Sequence, residues 1–246
     1  MTFYPLIRPF VFALDAERSH RATIAALKMM PARRPPDFPA SLKSTVAGLD
    51  FPTPVGLAAG FDKDAEVPQQ MLSLGFGFVE VGTVTPRPQQ GNPKPRLFRL
   101  SEDRAVINRM GFNNEGQPAA FARLRECTNT HGVIGVNIGA NKDSADRIAD
   151  YVAGVRAMTR VSRYLTINIS SPNTPGLRGL QDAGALEELL AAVGEAGLSQ
   201  PEETGDVLDG QAGASTQADA NERRLDLRRR VKAACRHETQ DLRIGV

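Results

Sequence analysis

Apolar residues in the middle of the chain form short runs that alternate with helical patterns. Four runs predict β-strands, at residues 55–59, 78–81, 133–137 and 164–168. The segments between and after them predict helices at residues 67–74, 117–125, 145–161 and 182–193. Near-continuous apolar strands that alternate with helices predict an α/β fold with a parallel sheet covered by helices.

The residues that follow each predicted strand indicate which α/β fold this is. The strands end in Gly, Asn, Asp or Thr, and none runs into the Gly-x-Gly-x-x-Gly turn of a dinucleotide-binding sheet. This pattern favours a (β/α) barrel of the TIM type, in which catalytic groups follow the carboxyl ends of the strands.

The two ends of the chain differ from this middle part. Residues 1–38 are helical in pattern, rich in apolar and basic residues, and end in a proline-rich linker at 31–36. Such a segment suits peripheral contact with an anionic membrane surface, or a pair of capping helices packed on the main domain, and both can hold together. Residues 194–246 contain no aromatic residue, so we predict a largely disordered tail with one charged helix. The predicted domains are therefore 1–38, 39–193 and 194–246.

Charge and cysteine content narrow the classes of function. A net charge of +2 gives no electrostatic case for nucleic-acid binding. The two cysteines, Cys127 and Cys235, fit neither a disulfide scaffold nor a zinc site, and a reducing cytoplasm is the default. No apolar run is long enough to span a bilayer. We predict no metal site, so an electron or group carrier would have to be organic.

The strand ends carry the candidate chemistry. Lys63 follows the first strand, Thr83 the second and Asn137 the third, and the fourth runs into Asn168-Ile169-Ser170-Ser171. Each motif alone is also compatible with an ordinary polar turn, but in a barrel all of them converge on one face. Ser171 has no His/Asp pair beside it, so a hydrolase triad is unsupported. A serine acting as a base without histidine calls for a strong hydride acceptor, and a flavin meets that requirement.

Four motifs in order then carry a resemblance to a known family: residues 56–64 (GLAAGFDKD), 108–114 (NRMGFNN), 137–142 (NIGANK) and 168–178 (NISSPNTPGLR). Residues 1–193 resemble the class 2, membrane-associated, quinone-dependent dihydroorotate dehydrogenases. The resemblance implies an FMN-containing TIM barrel that oxidises dihydroorotate to orotate in pyrimidine (UMP) biosynthesis. It also implies electron transfer to a membrane quinone and a peripheral position on the cytoplasmic side of the inner membrane.

The resemblance also implies roles for individual residues. Ser171 would take the C5 proton while the flavin takes the C6 hydride; class 1 enzymes have cysteine at this place. The implied FMN contacts are Ala59, Gly60, Phe61, Asp62, Lys63, Thr83, Asn137 and Asn168. The implied substrate contacts are Lys63, Asn108, Arg109, Met110, Gly111, Phe112, Asn168 and Asn173. His20 and Arg99 are the implied quinone-site residues.

Residues 194–246 contain none of the motifs that the second half of such a barrel would bring, including its phosphate-binding glycine loops. We therefore expect a chain truncated or frameshifted after about residue 193. The alternative to an enzyme is an inactive remnant that acts as a membrane-peripheral or partner-binding module. A third hypothesis is a related flavin barrel acting on another pyrimidine, which Ser171 and the N-terminal helices make less favoured.

Overall fold

A computed structural model describes residues 4–127 and 132–198 of the chain. They belong to two compact units, with the division between Gly179 and Leu180. The predictions made for residues 199–246, a disordered stretch and a charged helix, lie outside the described residues.

The first unit is built on a parallel sheet of four strands in the order β3-β4-β7-β8. These strands are β3 (Gly56–Leu57), β4 (Phe78–Val84), β7 (Val133–Ile138) and β8 (Tyr164–Ile167). All four lie within or across the predicted runs, which confirms the predicted parallel α/β architecture. Sequential strands are neighbours, as in the successive βα units of a TIM barrel.

Three helices follow these strands, as predicted: α3 (Pro68–Ser73), α4 (Gln117–Arg125) and α5 (Arg147–Met158). Pro68 begins α3 at a position where a missing N–H costs nothing. Asp146 caps α5 by accepting a hydrogen bond from the Ala149 N–H at 3.0 Å. A 3₁₀ turn, Thr159–Val161, then completes the segment predicted as one helix over 145–161.

The core combines strand and helix residues of the first unit. Alternate positions of β4 and β7 bury their side chains completely, and the helices contribute the rest. The largest fully buried members are Leu72, Val79, Val81, Leu124, Val136, Ile138, Tyr151 and Met158. This packing fixes the sheet so that all four strands end at one edge.

Two antiparallel ribbons are present that the sequence analysis did not predict. One pairs β1 (Ser44–Val46) with β2 (Leu49–Phe51), and the other pairs β5 (Leu97–Leu100) with β6 (Ala105–Asn108). Their strands are three or four residues long and largely exposed. Without a buried face they leave no hydrophobic alternation in the sequence, which is the signal that predicts a strand.

The N-terminal segment forms two helices, α1 (Tyr4–Ala13) and α2 (Ala16–Lys28), joined at the capping residue Asp15. Ile24 and Leu27 of α2 are buried. Helix α2 is also held by ion pairs, among them Arg21 and Lys28 with Glu66. The prediction of a helical start is confirmed, and α2 is packed on the first unit as a capping helix would be.

The described part of the second unit contains one helix, α6 (Ala183–Leu198). The sequence predicted a helix over 182–193, so residues 194–198 are helical where a divergent tail was expected. Gly194 caused the early end of the prediction, because glycine disfavours a helix interior by about 1 kcal/mol. The predicted domain limits themselves stay predictions.

Candidate active site at the carboxyl ends of the strands

A cavity of about 570 Å³ lies in the first unit, at the carboxyl ends of the parallel strands. It brings together most of the site residues predicted from the sequence. Those lining it are His20, Ala59, Gly60, Lys63, Thr83, Asn108, Met110, Gly111, Phe112, Asn137, Asn168, Ser171 and Asn173. The predicted convergence of the motifs on one face of the barrel is thus present in the structure.

Backbone hydrogen bonds between neighbouring strand ends hold these loops in register. The Gly60 N–H donates to the Gly82 carbonyl at 2.9 Å, and the Gly139 N–H donates to the Val84 carbonyl at 3.0 Å. The Asn168 N–H donates to the Ile138 carbonyl at 3.0 Å. The side chains that follow each strand therefore start from a rigid frame rather than from free loops.

Three polar side chains from three strands form one hydrogen-bonded cluster in the cavity. The Thr83 hydroxyl donates to Asn137 Oδ1 at 2.5 Å. Asn168 Nδ2 donates to Thr83 Oγ1 at 3.0 Å and to Asn137 Oδ1 at 3.1 Å. Buried and mutually satisfied polar groups of this kind keep a fixed geometry, which a binding site requires.

Lys63 places a cationic group against the same cavity. Its Nζ donates to the Gly60 carbonyl at 2.7 Å. Burial lowers the pKa of Lys63 from its ordinary value, because the charged form loses solvation. Gly60 has φ +106°, a left-handed conformation that favours glycine, so this turn requires a residue without a Cβ atom.

Ser171 is nearly buried, 9% exposed, and its hydroxyl accepts a hydrogen bond from the Asn173 N–H at 3.3 Å. The Tyr151 hydroxyl supports the start of this loop by donating to the Asn168 carbonyl at 2.7 Å. Within residues 4–127 and 132–198, no hydrogen bond joins Ser171 to a histidine or a carboxylate. The arrangement is therefore not a hydrolase triad.

The unpredicted ribbon of β5 and β6 explains how Asn108 reaches the cavity. Leu97 and Asn108 are register partners at the open end of the ribbon, and both line the cavity. Asn92 then ties two loops together, since its Nδ2 donates to the Arg109 carbonyl at 3.0 Å and to the Asn173 carbonyl at 3.4 Å. The ribbon and this clamp set the position of the 108–114 motif.

Four predicted site residues lie outside the cavity lining. The Asp62 carboxylate accepts the N–H groups of Glu66 and Val67, both at 2.8 Å, and so stabilises the turn before α3. Phe61 stacks edge-on against His20. The guanidinium of Arg109 donates to the Pro95 carbonyl, and that of Arg99 donates to the Leu14 and Val11 carbonyls. The roles predicted for these four residues stay predictions.

The structure adds cavity residues that the sequence analysis did not select. Glu80 comes from the middle of β4, and Glu17 comes from α2. Asn113 also lines the cavity, and its Oδ1 is buried without a hydrogen-bond partner among the described residues. Asn113 lies inside a motif that was recognised, whereas Glu80 gives no sequence signal because it is a single charged residue within a strand.

His20 is half-buried between the cavity and the ring of Phe61, whose centroid lies 5.3 Å from its own. Burial lowers the pKa of His20 below its ordinary value of 6.5, and the positive charges of Lys63 and Arg21 lower it further. The unfolded chain consequently binds a proton more readily than the folded one. The free energy of unfolding is therefore expected to fall as the pH drops below about 6.5.

The direct measurement is an NMR titration of the His20 imidazole from about pH 8 to about pH 5. We expect a midpoint below 6.5. The signal is assigned with the variant His20→Gln, whose spectrum should lack it. A midpoint at or above 6.5 would show that His20 is solvated and does not lie in the cavity wall.

Across residues 4–127 and 132–198, His, Cys, Asp and Glu side chains form no group of three able to hold a metal ion. Over those ranges, no helix combines the length and the apolar character needed to cross a bilayer.

The fold and the cavity define the class of this protein: the described residues form the first four βα strands of an α/β barrel of the TIM type, with an amide-rich site at their carboxyl ends. Residues 41–202 match the family model described as dihydroorotate dehydrogenase, and the chain belongs to that family.

Curated relatives support the same assignment. The chain is 65% identical over 193 residues to a dihydroorotate dehydrogenase (quinone) of Erythrobacter litoralis, covering 78% of this chain and 56% of the relative. It is 64% identical over 201 residues to the protein of that name from Novosphingobium aromaticivorans, covering 80% and 58%. The chain thus spans somewhat more than half the length of these relatives.

Two solved structures also align with this chain, which covers about half the length of each. The ligand-free dihydroorotate dehydrogenase of Eimeria tenella aligns with a TM-score of 0.71 and 45% identity, over 77% of this chain and 54% of that one. The complex of the Eimeria tenella enzyme with ferulenol aligns with a TM-score of 0.69 and 46% identity, over 73% and 50%.

Proposed function

We propose that this chain carries the dihydroorotate site of a quinone-dependent dihydroorotate dehydrogenase, which oxidises dihydroorotate to orotate in pyrimidine biosynthesis. One observation carries the proposal: Ser171 lies in the same cavity as Lys63, Asn108, Asn137 and Asn168, which come from four separate motifs. The names of the relatives at 64–65% identity point to the same reaction.

The residues present fit an FMN ring as the cofactor. Ala58, Ala59 and Gly60 give the cavity a wall of small residues, which allows a flat ring to approach the backbone. The buried and unpaired Asn113 Oδ1 offers an acceptor to a ligand N–H. Lys63 and the amide of Asn137 supply donors for ring carbonyls. When bound, FMN supplies the hydride acceptor that none of these side chains provides.

Ser171 is the proposed base. Its hydroxyl takes the C5 proton of dihydroorotate and passes its own proton on to water, while the hydride leaves from C6. The Asn173 N–H fixes the position of the Ser171 oxygen, and the Pro172 ring restrains the loop between them.

The amide groups are proposed to hold the substrate. Asn108, Asn168 and Asn173 recognise a carboxylate and an imide edge without adding charge, and Lys63 supplies a cation. Met110, Gly111 and Phe112 add a wall of the cavity on the side of the 108–114 loop. The substrate would thus lie between this loop and the 168–173 loop.

The N-terminal helices are proposed to serve the quinone and the membrane. His20 lines the cavity from α2, and Arg99 holds the connection between α1 and α2 through two backbone carbonyls. Helix α1 exposes Leu6 and Phe10, which are 70% and 76% exposed, and Leu14, which directly follows the helix, is 50% exposed. An exposed apolar face beside basic residues suits peripheral binding to an anionic leaflet, here the cytoplasmic side of the inner membrane.

The visible absorbance spectrum of the purified protein tests the proposed reaction. We expect a flavin band, and we expect it to bleach on anaerobic addition of dihydroorotate, because hydride transfer reduces the ring. Dihydrouracil is the matched control ligand, since it lacks the carboxylate that the amide groups would recognise.

A protein that gains no flavin on reconstitution with FMN would contradict the proposal and favour a non-catalytic module. Bleaching by dihydrouracil as fast as by dihydroorotate would contradict the assigned substrate. It would instead favour a related flavin barrel acting on another pyrimidine.

Binding to anionic phospholipid vesicles tests the proposed membrane contact. The vesicle affinity of the triple variant Leu6→Ser, Phe10→Ser, Leu14→Ser should be at least ~10-fold lower than that of the parent protein, because three apolar side chains no longer enter the lipid. Val46→Ser, which changes an equally exposed apolar residue on β1, is the control. Equal binding of both variants would show that α1 is not the contact surface.

A further inference from the structure

Glu80 is a cavity carboxylate that the proposed reaction does not use. It lies in the middle of β4 and is half-buried. Its Oε1 accepts a hydrogen bond from Asn137 Nδ2 at 2.8 Å. Its Oε2 accepts from the Thr166 hydroxyl at 2.9 Å and from the Tyr164 hydroxyl at 3.2 Å. Three donors from two neighbouring strands therefore hold one acceptor in place.

The strand register builds this arrangement. Glu80 pairs with Gly135 of β7, which in turn pairs with Tyr164 of β8. A Cβ on Gly135 would overlap the ring of Tyr164, so the glycine is what allows this ring to cross β7 and reach Glu80. One level further along, Asn137 pairs with Thr166. Because side chains alternate along a strand, Glu80 and these donors share one face of the sheet.

A carboxylate can only accept hydrogen bonds, and this decides which way the neighbouring amides point. Asn137 must turn its NH₂ group toward Glu80, so its Oδ1 faces Thr83 and Asn168. Asn168 must then present its own NH₂ group to that oxygen, and its Oδ1 turns away to accept the Ser170 N–H at 3.2 Å. The charge of Glu80 thus sets the orientation of Asn137 directly, and through Asn137 it sets the hydrogen bonds of Thr83 and Asn168.

We infer that Glu80 is a positioning residue that fixes the orientation of the Asn137 and Asn168 amides, and with it the donor pattern that the cavity offers to a ligand. The inference rests on the proposed function for the identity of the ligand, and it adds how the site is oriented toward that ligand. The second N–H of Asn137 makes no hydrogen bond within the described residues, so it could donate to a bound ligand. Burial and the charge of Glu80 raise the pKa of Tyr164, which keeps its hydroxyl a donor.

The orientation is tested without cofactor or substrate, by NMR of the side-chain NH₂ groups of Asn137 and Asn168 in the full chain. Glu80→Met keeps a similar volume and removes the acceptor. We expect the signals of both amides to shift and their hydrogen exchange to accelerate. Glu102→Met removes an exposed acid in the β5–β6 turn and should leave both signals unchanged.

The conservative variant separates positioning from simple packing. Glu80→Gln still offers one acceptor oxygen to Asn137, while its NH₂ group can donate to the hydroxyls of Tyr164 and Thr166. We therefore expect the Asn168 signals to return close to those of the parent protein. A purely structural role predicts no such rescue, because glutamine and methionine fill the same space.

Ligand affinity supplies a second readout. FMN should bind Glu80→Met about tenfold more weakly than the parent, and Glu80→Gln nearly as well as the parent, as expected for one lost hydrogen-bond orientation. If the parent binds no FMN, the proposed function fails, while the amide signals still decide the role of Glu80.

Unchanged amide signals in a folded Glu80→Met protein would overturn the inference, and so would a Glu80→Gln protein that behaves like Glu80→Met. Should Glu80→Met fail to fold, Tyr164→Phe takes its place, because it removes one anchor of the carboxylate and keeps the ring. The same signals should then move in the same direction by a smaller amount, and no movement would count against the inference.

Discussion

Replacing Ser171 by alanine is expected to slow reduction of the bound flavin by dihydroorotate by about 10²–10⁴-fold, the usual contribution of a positioned base. Orotate affinity should change little, because the amides of Asn108, Asn168 and Asn173 remain in the cavity. The two quantities are measured by anaerobic stopped-flow absorbance and by orotate titration.

The neighbouring serine provides the matched control for this experiment. The Ser170 hydroxyl is exposed and donates to Asn168 Oδ1 at 3.1 Å, so Ser170→Ala removes a hydroxyl one residue away from the proposed base. We expect a much smaller loss of rate in this variant. Comparable losses in the two variants would remove Ser171 from the role of base, since loop disturbance alone would then explain both.

Replacing Arg96 by methionine is expected to lower the free energy of unfolding by about 3–5 kcal/mol, because it leaves the nearly buried carboxylate of Glu17 to the exposed side chain of Lys94, 3.3 Å away. Arg96 is only 6% exposed, and its guanidinium donates to the two oxygens of Glu17 at 2.6 and 3.1 Å. It also donates to the carbonyls of Gln90 and Asn92. Urea unfolding followed by circular dichroism measures the loss.

The ion pair of Arg87 with Asp143 is the control, because its side chains are 63% and 79% exposed. Arg87→Met should cost about 0–1 kcal/mol, since water screens an exposed pair. The pKa of Glu17 is lowered mainly by its hydrogen bond to Arg96, so the contribution of this pair should fade as acid protonates Glu17. Equal and small losses in both variants would show that the pair of Arg96 with Glu17 does not stabilise the fold.

The strands of the sheet and the helices after them could be predicted because their burial leaves a periodic pattern. Val79, Val81 and Val136 are fully buried, and the runs that contain them are apolar and bounded by glycine or asparagine. Helix α4 was predicted with its exact bounds for the same reason. The ribbon of β5 and β6 has no buried face, so the residues of β6 gave no strand signal.

The cavity was predicted from its motifs, but a cavity residue that belongs to no recognised motif, such as Glu80, was missed. Lys63 and Ser171 follow strands and Asn137 lies near the end of one, and the barrel rule places such residues together. Arg109 belongs to a recognised motif, yet its guanidinium turns to the Pro95 carbonyl. Glu80 lies within a strand and in no recognised motif, so only the tertiary structure shows that it faces the cavity.

By itself, the sequence determined the parallel α/β fold, the family and the loops that carry the site, because these depend on local patterns of burial and on contiguous motifs. The tertiary structure alone decided which side chains of those loops meet, and in which orientation. Glu80 and Asn137 lie in β4 and β7, Asn168 directly follows β8, and their hydrogen bonds join residues far apart in the chain. Such contacts depend on strand register and side-chain direction, which no local pattern records.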